Sequence, residues 1–101
     1  MKKRSEFDER QIKMMIQKIN DFKNRRLNIN SFLEDQWSLI ELLETVDETW
    51  KKDYRNKVNE IDTIIAVALD VDDSYLSPDD KSKVEAIVHD LSLMLSKLTH
   101  N

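Results

Sequence analysis

The residue pair best spaced for metal or acid–base chemistry is Glu85 and His89, one helical turn apart. Two such groups hold a divalent cation weakly, because a stable site draws three or four ligands together. His89 also falls on the polar side of its helix, and the only other histidine, His100, has no cysteine to assist it. A second arrangement is Asp70-Val-Asp-Asp-Ser-Tyr-Leu-Ser77, which puts three carboxylates into four residues. Read as a calcium loop starting at Asp70, it places acids at the first and third positions. Tyr75 then occupies the sixth, where the turn requires glycine, and Lys81 the twelfth, where the ion requires a bidentate glutamate. Those two residues rule the loop out. Serines are scattered without a nucleophile elbow or a partnering base, and paired catalytic acids need a cleft that drives their pKa values apart. A small helical domain leaves little room for one. The sequence therefore predicts no enzyme, no cofactor and no metal.

The stretch with a functional character of its own is Ser31 to Thr49, which carries Glu34, Asp35, Glu41, Glu44, Asp47 and Glu48 and no Lys or Arg. Wound at about 100° per residue, it sets Phe32, Leu33, Leu39, Ile40, Leu42, Leu43 and Val46 on one broad arc that must be buried. The other half carries Glu34, Glu41, Glu44 and Glu48, with Trp37 among them. A large aromatic in an acidic surface predicts a docking site for a basic partner. Asp72 and Asp73, which no helix cap accounts for, form a second candidate patch.

Composition narrows the class. A chain of 101 residues with no Gly and one Pro is poorly suited to all-β or phosphate-cradling α/β folds, which use glycine wherever φ is positive. An all-α, four-helix bundle-like single domain over residues 1–101 is expected, with frayed ends at 1–5 and 99–101. The absence of Cys fits a reducing cytoplasmic setting. No apolar run is long enough to span a membrane, and MKKRSEFDER lacks the apolar core of a secretory signal. The formal charge of −4 is unevenly distributed. Residues 1–30 hold nine Lys/Arg and four Asp/Glu, a net of +5, while residues 31–101 hold seven and sixteen, a net of −9. The larger part repels nucleic acid and attracts cationic protein.

Four helices position these residues. Ser5-Glu-Phe-Asp8 has capping-box spacing and opens a first helix over 6–26, with Ile12, Met15, Ile16, Ile19 and Phe22 on its core face. Asn24, Asn28 and Asn30 supply the following turn in place of glycine. A second helix spans 31–45, and Thr45-Val-Asp-Glu48 repeats the capping spacing before a third over 48–70. In that helix Trp50, Tyr54, Val58, Ile61, Ile64, Ile65, Ala68 and Leu69 share a face. Lys51, Lys52, Arg55 and Lys57 are placed to pair with carboxylates of the preceding helix. Ser77-Pro-Asp-Asp80 starts the fourth, over 78–98, with Val84, Ile87, Val88, Leu91, Met94, Leu95 and Leu98 inward.

Three segments carry a family likeness: Ile40-Glu-Leu-Leu43, Trp50 soon after, and Glu60-Ile-Asp-Thr-Ile-Ile-Ala-Val-Ala-Leu-Asp70. Over residues 28–95 this pattern resembles the small helical immunity proteins of bacterial contact-dependent growth inhibition and related polymorphic-toxin systems. The resemblance implies stoichiometric action in the cytoplasm: a monomer binds a cognate toxin C-terminal domain one-to-one and covers its active site. Many such toxins are nucleases with basic substrate grooves, which the acidic helix face would meet as a phosphate mimic. Two other readings remain open from the residues. One is a nucleic-acid-associated regulator using Lys2, Lys3, Arg4, Lys23, Arg25 and Arg26. The other is a helical adaptor that self-associates through Phe7, Met14 and Leu93.

Overall fold

The computed structural model describes residues 5–71 and 77–99. The fold is all-α, with α1 at Glu6–Lys23, α2 at Ile29–Leu42, α3 at Glu48–Val71 and α4 at Pro78–Thr99. The chain divides into two compact units, Met1–Arg55 and Asn56–Asn101, and α3 runs unbroken through the division. Residues 1–4, 72–76, 100 and 101 lie outside the described residues, and with them the expected fraying there and the Asp72 and Asp73 patch.

Each helix starts on a side-chain cap. The Ser5 hydroxyl accepts from the Asp8 N–H at 3.1 Å, and the Ser77 hydroxyl from the Asp80 N–H at 3.1 Å, both as the sequence predicts. For α2 the cap is Asn28: its side-chain oxygen accepts from the Ser31 N–H at 2.8 Å, and the helix begins at Ile29, two residues earlier than expected. Asp47 opens α3 by accepting from the Thr49 N–H at 3.2 Å. The Thr45 hydroxyl, expected in that role, is engaged elsewhere.

The helix ends differ more from expectation. Helix α1 stops at Lys23, three residues early; Asn24 caps it and Asn28 caps α2, as expected of the turn, but the residue in the left-handed region between them is Arg25, at φ 60. The Arg26 N–H reaches the Asp21 carbonyl at 2.8 Å and the Arg25 N–H the Phe22 carbonyl at 3.1 Å. This pair of bonds satisfies carbonyls that the last helical turn leaves open. A non-glycine residue in the left-handed region costs about 1–2 kcal/mol, which those bonds offset. Helix α2 also ends three residues early, at Leu42. The N–H groups of Glu44 and Thr45, which would have continued its ladder, bond instead to the Asp8 carboxylate of α1.

In the first unit α1 and α2 run antiparallel. Phe22 stacks on Phe32 with centroids 4.7 Å apart, Lys18 pairs with Asp35 at 3.4 Å, and the Gln36 amide donates to the Met15 carbonyl at 3.2 Å. Ile12, Met15, Ile19, Phe32, Ile40 and Tyr54 are fully buried. Leu42 departs from the predicted arc and is 47% exposed. The buried face is centred on Gln36, with Phe32, Leu39, Ile40 and Leu43 around it, and Leu42 lies more than a quarter-turn away. In the second unit Val58, Ile61, Ile65, Val84, Ile87, Val88, Leu91 and Leu95 are buried, as their spacing predicts, while Ile64, Met94 and Leu98 are half-buried. Ala68 and Leu69 lie outside the described side chains. Six residues join Val71 to Pro78, so this half of α3 and α4 form an antiparallel hairpin, bridged by Lys57 and Asp90 at 3.3 Å. Lys57 thus pairs with the helix that follows, not the one before.

Candidate functional site: the acidic face of helix α2

Glu34, Trp37, Ser38 and Glu41 recur at three and four residues, which puts them on one outer stripe of α2. Glu34, Ser38 and Glu41 are exposed. Trp37 is half-buried: it sits beside Gln36, at the margin of the buried arc, and keeps part of the indole in contact with solvent. The sequence placed it wholly away from the core, whereas the structure places it at the edge. Glu44 and Glu48 are exposed but lie beyond the helix, in the connection to α3 and at the first position of α3.

Arg55 draws part of this set together. Its Nε lies 3.4 Å from Glu41 Oε1 and its Nη2 3.9 Å from Glu48 Oε2. The Nε is buried and its approach to Glu41 is an ion pair without hydrogen-bond alignment. This pairing of α3 with the preceding helix was foreseen for Arg55. It leaves Glu34 and Glu44 with no ion pair among the described residues, and the five charges net negative.

What holds the face in place is a polar cluster that the sequence reading missed. The Asp8 carboxylate accepts from the Glu44 N–H at 2.9 Å, the Thr45 N–H at 2.6 Å and the Thr45 hydroxyl. Burial pushes the Asp8 pKa up, but the Thr45 hydroxyl, the two N–H groups and the Lys51 charge outweigh it and hold the carboxyl below its usual value. Lys51 is itself buried; its Nζ donates to the Leu43 carbonyl at 2.9 Å and lies 3.7 Å from Glu48. The connection is therefore gripped from both sides, with its N–H groups on a carboxylate and its carbonyl on an ammonium. Deeper in, the Tyr54 hydroxyl donates to Gln36 Oε1 at 2.6 Å, and Gln36 passes the chain on to Met15 of α1. Burial pushes the Tyr54 pKa far up, so the phenol stays a donor. Trp50 stacks on Tyr54 at 5.0 Å and is half-buried rather than the core anchor its spacing predicts.

A signal for Asp8 was present in the sequence, since it is an acid where a capping box wants Glu or Gln. Its shorter side chain does not return to the Ser5 N–H, which goes to the Thr45 hydroxyl at 3.4 Å.

Compared with protein-family models, with curated proteins and with solved structures, the chain finds no match. The site must be judged on its geometry. Among the described residues no group of three or more His, Asp or Glu side chains could hold a metal ion, and no helix is long and apolar enough to cross a membrane. Glu85 and His89 are both exposed.

Proposed function

We propose that this chain is a stoichiometric inhibitor: a cytoplasmic immunity protein that binds a basic toxin domain, of nuclease type, through the outer stripe of α2. The observation that carries the reading is a partly exposed indole, Trp37, set between Glu34 and Glu41 on one helix face. A half-buried Trp is a rigid anchor with little rotamer entropy left to lose, and desolvating its free part gives the largest gain at an interface centre. The surrounding carboxylates attract a cationic groove over long range and speed encounter. The resemblance read from Ile40-Glu-Leu-Leu43, Trp50 and residues 60–70 supports the same reading. It assigns the chain no catalysis of its own, and a one-to-one complex with the toxin domain.

The test is co-expression with the toxin domain encoded by the neighbouring upstream gene, followed by association kinetics on the purified pair. Protection of the cells is expected, with an on-rate that falls steeply as salt rises. Trp37→Ala should weaken binding by at least about thirtyfold, roughly 2 kcal/mol, with unaltered helix content. The reading fails if the neighbour is not toxic or the cells are not protected. Retention of RNA or DNA at physiological salt, lost when Arg25 and Arg26 become Ala, would replace it with a nucleic-acid role.

A further inference from the structure

On the outer stripe of α2, Trp37 and Ser38 follow Glu34 by three and four residues, so they stand one turn further along the helix and flank its column on either side. Glu34 and Ser38 are exposed, and part of the Trp37 indole meets solvent. The cations packed near this stripe are already committed. Arg55 of α3 lies 3.4 Å from Glu41 and 3.9 Å from Glu48, and Lys18 of α1 lies 3.4 Å from Asp35. Glu34 forms no ion pair with any described residue. It is an open carboxylate with an aromatic wall on one flank and, on the other, a side chain too short to close it.

We propose that Glu34 and Trp37 form the seat of one arginine of the basic partner, with Ser38 as its open side. This rests on the inhibitor reading and names the chemistry by which the stripe recognises its occupant. A guanidinium is planar, so it can donate two parallel N–H bonds to the Glu34 carboxylate while its face lies against the free part of the indole. An ammonium has no plane to stack and is more strongly hydrated, so it gains less from leaving water beside the indole. Long-range attraction treats the two cations alike. Discrimination between them therefore belongs to the contact and shows in dissociation rather than in encounter.

The test replaces each arginine of the toxin domain's basic groove by lysine in turn, at constant charge, and measures dissociation of the complex with the full chain. One exchange should speed dissociation about tenfold, with the on-rate and its salt dependence unchanged. Against Trp37→Leu the same exchange should cost less than about threefold, because the wall that told the cations apart is gone. A complex that forms yet is indifferent to every exchange overturns the seat and leaves the inhibitor reading standing. An exchange that costs as much against Trp37→Leu also overturns it. A second measurement needs no toxin: acetyl-arginine amide and acetyl-lysine amide are titrated onto the full chain, and the Trp37 indole N–H is followed by NMR with Trp50 as internal reference. The arginine compound should shift the Trp37 signal and the lysine compound far less, with the difference lost in Glu34→Gln. Equal response to both compounds overturns the seat. A preference for arginine without any toxin complex supports the seat and removes the inhibitor reading instead.

Discussion

The two units are built on different principles. In Met1–Arg55 the apolar core is threaded by polar side chains: Asp8, Gln11, Gln36 and Lys51 are all buried, and three of them bond across helices. In Asn56–Asn101 no described side chain that is buried is polar, and the Lys57–Asp90 ion pair is partly exposed. Apolar burial is non-directional and tolerates sliding, whereas a satisfied buried network fixes one geometry, because every alternative orphans a donor or acceptor. The half with the buried polar network is the one carrying the proposed binding stripe. This is where an inhibitor needs it, since a preordered surface loses less entropy on binding.

The sharpest break of this contrast lies in the second unit. Leu91 is fully buried, and Leu91→Ala should cost about 3–4 kcal/mol in urea unfolding followed by circular dichroism, through lost transfer energy and the cavity left behind. If polar contacts governed this half as well, so large a loss from a purely apolar truncation would not be seen.

In the first unit the corresponding lever is a carboxylate. Asp8→Ala strips the Glu44 and Thr45 N–H groups of their acceptor and leaves Glu48, 3.7 Å away, as the carboxylate paired with Lys51. A cost of about 2–3 kcal/mol is expected at neutral pH. Trp37 and Trp50 both lie in this unit, so tryptophan fluorescence reads it directly. The pH dependence has a definite sign. The folded pKa of Asp8 lies below its unfolded value of 3.8, so its stabilisation is complete above that value and is lost as pH falls through the folded one. The gap between wild type and variant should close in strong acid. A gap that persists there would mean the carboxylate's charge is irrelevant.

That residue also marks where the sequence could be read and where it could not. Helix number, type and most starts were legible, because they rest on three-and-four spacing and on local caps at Ser5 and Ser77. The apolar stripes of α1, α3 and α4 were legible for the same reason. The early end of α2 was not, since it is decided by an acceptor 36 residues away in sequence, and no local pattern announces that Asp8 will take the Glu44 N–H. Gln36 was hidden by its own polarity. An arc drawn through apolar residues alone omits it, takes in Leu42 and leaves Trp37 outside, whereas Gln36 is fully buried. The acidic stripe itself was plain from composition and spacing, but its partial neutralisation by Arg55 depends on how α3 returns past α2.

A smaller effect probes the deepest link. Tyr54→Phe removes the hydroxyl that Gln36 accepts from, leaving a buried amide oxygen unsatisfied. About 1–2 kcal/mol of lost stability is expected at constant packing volume. Replacing Gln36 with Leu on top of Tyr54→Phe should recover part of it, because an apolar pair leaves one carbonyl, that of Met15, to find water. Full additivity of the two losses would show that the contacts are not a network.

The smallest change in stability separates holding from binding. Arg55→Ala removes an ion pair with Glu41 and a longer one with Glu48, at a side chain 27% exposed. Exposed or part-exposed pairs contribute about 0–1 kcal/mol, and the buried Nε, imperfectly aligned, adds little. Thermal unfolding should therefore move by no more than a few degrees. The potential of the α2 stripe, however, gains a full negative charge within a few ångströms of Trp37's neighbour Glu41, and long-range steering depends on net charge rather than on local packing. Association with a basic toxin domain should become faster and more salt-sensitive, with dissociation changed little. If the on-rate instead falls, Arg55 is part of the contact surface, and Glu41 and Glu48 serve to present it.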